Sequence, residues 1–162
     1  MKLGRPDARF AFAHPAHFLA LGFGAGLSPF APGTMGTLVA FPLWWLVGAG
    51  YSGAVFFGIL AFLFVVGVWA CQLTGLHLGV ADHGAMCWDE VVAFLLVLAF
   101  LPPGWAWQAA AFFLFRFFDV VKPPPIRQLE MRMKGGFGVM ADDLLAAGYT
   151  LLVLAIAKRM LD

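Results

Sequence analysis

The ionisable side chains of this chain are gathered into a few short segments, separated by apolar stretches that call for a solvent other than water. Charged residues make up 12% of the sequence against 62% hydrophobic, about half the ~25% charged fraction usual for a soluble domain. The mean hydropathy is +0.89. A chain of 162 residues with this make-up suits one domain of about five helices, since each bilayer crossing takes roughly 20 residues plus a connector. Its net charge of +1 says less than the positions of the charges.

An apolar segment from Phe18 to Phe30 is broken by Gly22, Gly24 and Gly26 and runs into Ser28-Pro29-Phe30-Ala31-Pro32-Gly33-Thr34-Met35-Gly36-Thr37. It is expected to be an interfacial or re-entrant half-helix leading to an ordered loop, because irregular backbone at membrane depth survives only where protein or water satisfies it. Spans are expected at 37–49, 53–74, 89–101, 105–121 and 142–161, bounded by Gly50, Gly53, Gly75, Pro102-Pro103-Gly104 and Gly138. The fold class is therefore all-α: a polytopic bundle of about five spans forming a single membrane-embedded domain over 1–162, with 1–16 as a tail. The N-terminus shows no cleavable signal pattern. Cys71 and Cys87 lie in or beside apolar segments without paired spacing, so no structural disulfide is expected.

Loop parity then decides where the charges go. With the N-terminus inside, Lys2, Arg5, Arg9, Arg116, Lys122, Arg127, Arg132 and Lys134 fall on the inner side, against Lys158 and Arg159 outside. The excess of Lys and Arg on cytoplasmic loops supports this orientation. Asp82, Asp89, Glu90, Asp119, Asp142 and Asp143 lie in or beside the same inner loops. Ionisable groups near membrane depth are costly and usually face a polar cavity, which makes them functional candidates.

Three constellations carry the chemistry. Asp82-His83-Gly84 followed by Trp88-Asp89-Glu90 sets a carboxylate-rich turn at the start of a span. Helix capping and the helix dipole explain one acid there. Adjacent acids with Asp82 nearby instead suit a divalent cation such as Mg²⁺, which prefers hard oxygen ligands. Gly135-Gly136-Phe137-Gly138 before Asp142-Asp143 repeats the pattern, with a glycine run that would let backbone amides approach an anion. Arg116, Asp119 and Lys122 share one side of a helix. Either Arg116 and Asp119 form a structural pair, or Arg116 and Lys122 grip a phosphate. The Pro32 to Thr37 segment, placed before the first expected span, offers amides and hydroxyls at a helix start, where anions bind readily. Gly22 and Gly26 read as close helix packing, His14 and His17 as interfacial, and His83 as a ligand or acid/base of lower weight. Trp44, Trp45, Trp69, Trp105 and Trp107 read as interface anchors or packing.

Taken together, Leu21-Gly22-Phe23-Gly24, Ser28-Pro29 with Pro32-Gly33-Thr34-Met35-Gly36-Thr37, Asp82-His83-Gly84, Trp88-Asp89-Glu90, Arg116 with Asp119 and Lys122-Pro123, and Gly135-Gly136-Phe137-Gly138 with Asp142-Asp143 resemble the phosphatidylglycerophosphatase A family over about residues 17–150. The resemblance implies a Mg²⁺-dependent phosphatase of the bacterial inner membrane that converts phosphatidylglycerol phosphate to phosphatidylglycerol, with its site on the cytoplasmic face. The expected partner is a phospholipid rather than nucleic acid. The residues agree with such chemistry, since a phosphomonoester needs charge neutralisation and a positioned nucleophile. Neither cysteine begins a Cys-x₅-Arg loop, and no Asp-x-Asp or paired Arg/His motif offers another covalent route. Hydrolysis by an activated water is the simplest route left. Asp89, Glu90, Asp142 and Asp143 are then the expected metal ligands, holding one or two Mg²⁺, with Asp82 or Asp119 as further ligand or base. Thr34, Gly36, Thr37, Arg116 and Lys122 would hold phosphate. The rival from another class is a cation- or proton-coupled transporter, which wants polar residues along the whole crossing, and the outer halves here are almost purely apolar. A structural subunit would leave the clustered acids unexplained.

Overall fold

The computed structural model describes residues 4–48, 50–51 and 53–162. Lys2, counted above with the inner charges, and position 49 at the edge of the first expected span lie outside them. The described residues are all-helical, with no strand among them: α1 (Ala8–Ala13), α2 (Pro15–Ala20), α3 (Pro32–Leu43), α4 (Ala54–Leu78), α5 (Trp88–Ala99), α6 (Trp105–Val121), α7 (Ile126–Arg132) and α8 (Gly135–Leu161).

Local chemistry sets these boundaries. The Asp7 side chain caps α1 by accepting from the Phe10 amide at 2.8 Å. His14 Nδ1 caps α2 by accepting from the Ala16 amide at 3.1 Å, with Pro15 at the first helical position. Pro32 likewise opens α3, five residues before the expected start, so the Gly-Thr motif forms the first turns of a helix rather than a loop ahead of it. After Pro42, α3 passes into a π-helical turn over Trp44–Gly48, as the missing proline N–H disrupts the regular ladder. The Phe18–Phe30 segment is not a half-helix. Gly22, Phe23 and Gly24 take positive φ values of 57°, 57° and 94°, which end α2 and fold the chain into turns and a 3₁₀ segment at Ala25–Leu27. Gly22 and Gly26 do serve close packing, but against a loop: a Cβ on Gly26 would lie 1.8 Å from the Ala85 carbonyl oxygen.

Two helices, α4 and α8, are long and apolar enough to cross a membrane. The outward face of α4 exposes Val55, Phe57, Phe62, Val65, Trp69 and Leu76, an apolar surface that water would penalise. Both features point to a membrane protein. Helix α5 is different: twelve residues reach about 18 Å, short of the ~30 Å hydrocarbon core. It is buried from Trp88 to Leu95 and sheathed by α3, α4, α6 and α8. The expected set of five spans thus becomes two helices of full bilayer length and three shorter ones, α3, α5 and α6.

Helix α8 is the organising element, packing on α4, α5, α6 and α7. Its close approach to α4 depends on glycine. A Cβ on Gly136 would lie 2.1 Å from the Val68 carbonyl oxygen, and one on Gly135 would lie 2.4 Å from Gln72 Oε1. The Gly135–Gly138 run is therefore an interhelical seam rather than a free anion-binding loop, and the Gly136 amide is already bonded to Gln72 Oε1 at 2.7 Å. This packing brings the first turn of α5, the last turns of α6 and the first third of α8 to one end of the bundle.

Candidate active site

Five carboxylates from three helices are buried together at that end: Asp89 and Glu90 on α5, Asp119 on α6, Asp142 and Asp143 on α8. Adjacent residues on a helix diverge by about 100°, so each pair divides its aims. Oxygens of Asp89, Asp142 and Asp143 lie within 4.8 Å of one another, and so do oxygens of Glu90, Asp119 and Asp143.

Two bases thread this acidic set. Arg116 NH1 donates to Glu90 Oε1 at 3.2 Å and also to Asp119 Oδ2. Lys122, whose backbone closes α6 in the left-handed region at φ 47°, donates to Asp142 Oδ2 at 2.9 Å and to Glu130 Oε1 at 2.7 Å. Burial opposes the Lys122 charge, but those two hydrogen bonds outweigh it and hold the ammonium above the ordinary lysine range. Glu130, on the surface helix α7, went unnoticed in the sequence because nothing local ties it to Lys122.

Partners are missing where they matter most. Asp89 Oδ1, Glu90 Oε2 and Asp143 Oδ2 are buried acceptors without a hydrogen bond, and Arg116 Nε is a buried donor without one. Such orphans are rare in folded proteins and cost about 1–3 kcal/mol each, more for charged groups. The orphaned acceptors and the orphaned donor belong to one cluster, joined through Glu90 Oε1 and Arg116 NH1. The carboxylates' all-oxygen chemistry suits a hard divalent ion, and their oxygens gather within 4.8 Å of one another in each group. The residues present fit that group.

The other expected site residues are distributed unevenly. Asp82 lies at the rim, lining with Glu130, Lys134, Gly138 and Asp142 a cavity of about 110 Å³. It is exposed yet ringed by protein, and the lost hydration pushes its carboxyl up against the opposing pull of Lys122, with Glu130 and Asp119 adding to the rise. From α3, Gly33 comes closest to the centre: a Cβ there would lie 2.3 Å from Glu90 Oε1 and 2.9 Å from Arg116 NH2. Gly36 packs on Cys87, and the Thr37 hydroxyl, fully buried, donates to the Gly33 carbonyl at 2.9 Å. Thr34, half-buried, keeps its place in the first turn. His83 Nδ1 accepts from the Ala85 amide at 3.1 Å and shapes the loop before α5. Both cysteines are free and buried, and burial pushes the Cys87 thiol up, which suits packing rather than attack.

Beside the polar end, an apolar groove of about 590 Å³ runs along α4 between Phe64, Val68, Trp69 and Phe137. It shares Gln72 and Leu76 with a second cavity of about 250 Å³, which shares Ala81 and Gly135 with the cavity at Asp82 and Asp142.

The family model for phosphatidylglycerophosphatase A matches residues 18–158. A phosphatidylglycerophosphatase A of Haemophilus influenzae is 42% identical over 155 residues, covering 95% of each chain. One from Escherichia coli is 43% identical over 144 residues, covering 86% of this chain and 81% of that one. A Bacteroides thetaiotaomicron protein with the provisional name phosphatidylinositol-3-phosphatase is 38% identical over 147 residues, covering 86% and 91%. No solved structure matches.

Proposed function

The chain belongs to the phosphatidylglycerophosphatase A family, and we propose that this phosphoric monoester hydrolase works on phosphatidylglycerol phosphate through Mg²⁺ held by Asp89, Glu90, Asp142 and Asp143. When bound, Mg²⁺ supplies Lewis acidity toward the phosphate and acidifies water. The observation that carries the reading is the orphaned set: three carboxylates with unmet oxygens in one cluster with Arg116, whose Nε–H is also unmet.

The side chains divide the work. Arg116 offers Nε–H to a phosphate oxygen while NH1 stays on Glu90 and Asp119. Its planar fork suits a phosphate's geometry. Lys122 adds a second cation near Asp142. Gly33 lets the α3 N-terminus close over the centre, where its positive end favours the anion. Thr34 belongs to that same helix start, whereas the placements of Gly36 and Thr37 favour packing. Asp82, at the water-facing rim, is positioned to take a proton from water, and Asp119 orients Arg116. The groove on α4 and its connection to the rim support a substrate whose apolar chains stay in the bilayer while its phosphate reaches the acids. The transporter reading lacks this support, because the acids are confined to one end of the bundle.

We also propose a cytoplasmic-face site in a bacterial inner membrane, with α3, α5 and α6 completing about five crossings of a locally thinned bilayer. Phosphate release from phosphatidylglycerol phosphate by purified protein, with and without Mg²⁺, tests the chemistry. Mg²⁺-dependent release that Asp89→Asn and Asp143→Asn abolish is expected; no release by the wild type, or full activity in both variants, overturns it. Labelling a cysteine placed at 135–138 from outside intact cells should fail, and efficient labelling overturns the orientation.

A further inference from the structure

We infer that the centre holds two cations rather than one, bridged by Asp143: the first taken by Asp89, Asp142 and Asp143, the second by Glu90, Asp119 and Asp143. The inference rests on the Mg²⁺ phosphatase reading above and extends it by giving Asp119 a ligand role.

The two oxygen groups share a single residue, Asp143, which is 2% exposed and has an oxygen without a partner. A carboxylate has two oxygens and about four lone-pair directions, enough to serve two ions at once. The helical geometry explains why one ion does not serve all five acids. Asp89 is turned toward the α8 acids and Glu90 toward α6, so the neighbours on α5 contribute to different groups. Each group also has its own orphan besides Asp143: Asp89 Oδ1 in the first and Glu90 Oε2 in the second.

Charge points the same way. The five buried carboxylates face two bases, Arg116 and Lys122. Fully ionised, the set carries three uncompensated negative charges, a severe cost in a low-dielectric site. Lys122 is also shared with Glu130, so one divalent ion leaves the cluster negative toward an anionic substrate, whereas two offset its excess charge. Arg116 now bonds both acids of the second group. A cation there would share those carboxylates with NH1 and leave the Nε–H for phosphate.

Mn²⁺ in place of Mg²⁺ makes the proposal measurable with the full-length chain in detergent or nanodiscs. The wild type should bind two Mn²⁺ per chain by elemental analysis and give a spin-coupled electron paramagnetic resonance spectrum, as ions about 3.5–4 Å apart do. Asp89→Asn and Asp119→Asn should each retain one Mn²⁺ with the hyperfine pattern of an isolated ion, and Asp143→Asn should lose the coupling and bind less than one. One ion in the wild type, two without coupling, or a coupled pair persisting in Asp119→Asn overturns the proposal. The wild-type count decides even where a variant fails to fold, which circular dichroism and size-exclusion profiles would reveal. Phosphate release measured in parallel separates the two readings. A one-ion protein that is active refutes the bridge and leaves the phosphatase standing, whereas a coupled pair without release supports the bridge and refutes the phosphatase.

Discussion

Two polar clusters built on buried side chains lie toward the same end of the bundle, the first with the exposed His77 at its edge, and they behave oppositely. In one, His17 is held between Thr74 and His77: Nδ1 meets the Thr74 hydroxyl at 2.9 Å and Nε2 meets His77 Nδ1 at 2.9 Å. Thr74 in turn donates to the Ala16 carbonyl at 3.4 Å, and the His17 ring stacks on Phe10. Both ring nitrogens of His17 have partners. In the other, among Asp89, Glu90, Arg116 and Asp143, four buried polar atoms have none. Polarity and burial are common to both, so neither marks a site. Unmet hydrogen-bonding capacity separates a cluster that ties α2 to α4 from one prepared for an ion and a phosphate.

The comparison can be broken at its strongest point first. Asp143→Asn removes one charge and one shared ligand, and should lower phosphate release by at least about 10²-fold while leaving helicity intact, since groups placed to stabilise developing charge are each worth that much. Release within a few-fold of wild type would put the orphaned carboxylates on a par with the histidines. Arg116→Lys keeps the charge but loses the planar fork, and a fall of about 10²-fold is expected; full activity would reduce Arg116 to a structural partner of Asp119.

Stability sharpens the other side. Gly136→Ala drives a methyl group toward the Val68 carbonyl at 2.1 Å and should cost about 1–3 kcal/mol in a detergent melt, whereas Gly148→Ala, with nothing within 4 Å, should be neutral or stabilising by up to about 1 kcal/mol. Equal effects would remove the α4–α8 seam from the account. The smallest effect belongs to His17. Burial lowers its pKa below 6.5, with His77 and His14 adding to the shift. The folded state therefore binds its proton less readily than the unfolded chain, so the stabilisation is full above about 6.5 and is lost as pH falls through that value toward the folded one. A melt across that range should show a loss of stability toward low pH that His17→Gln abolishes; an unchanged slope would place the pH response elsewhere.

Much of the site was legible in the chain itself. Paired acids entering apolar helices, Arg116, Asp119 and Lys122 at regular spacing, and the order of the motifs all come from residues close in sequence. The glycine run before Asp142 reads in sequence as a loop open to an anion, because Gly suits both an open loop and a tight seam, and only the position of Val68 on α4 distinguishes them. His17 reads as interfacial in sequence for a similar reason: its partners, Thr74 and His77, are 57 and 60 residues away. Glu130 had no local signal at all.

By itself, then, the sequence determined that this is an apolar helical chain with its acids and bases collected near a few helix ends, since hydropathy and helical spacing are local properties. Which acid faces which was decided only by the tertiary structure. The division of Asp89 from Glu90, and the position of Asp143 between the two groups, depend on how closely α8 seats against α4, α5 and α6, and that distance is set by side chains far apart in the chain.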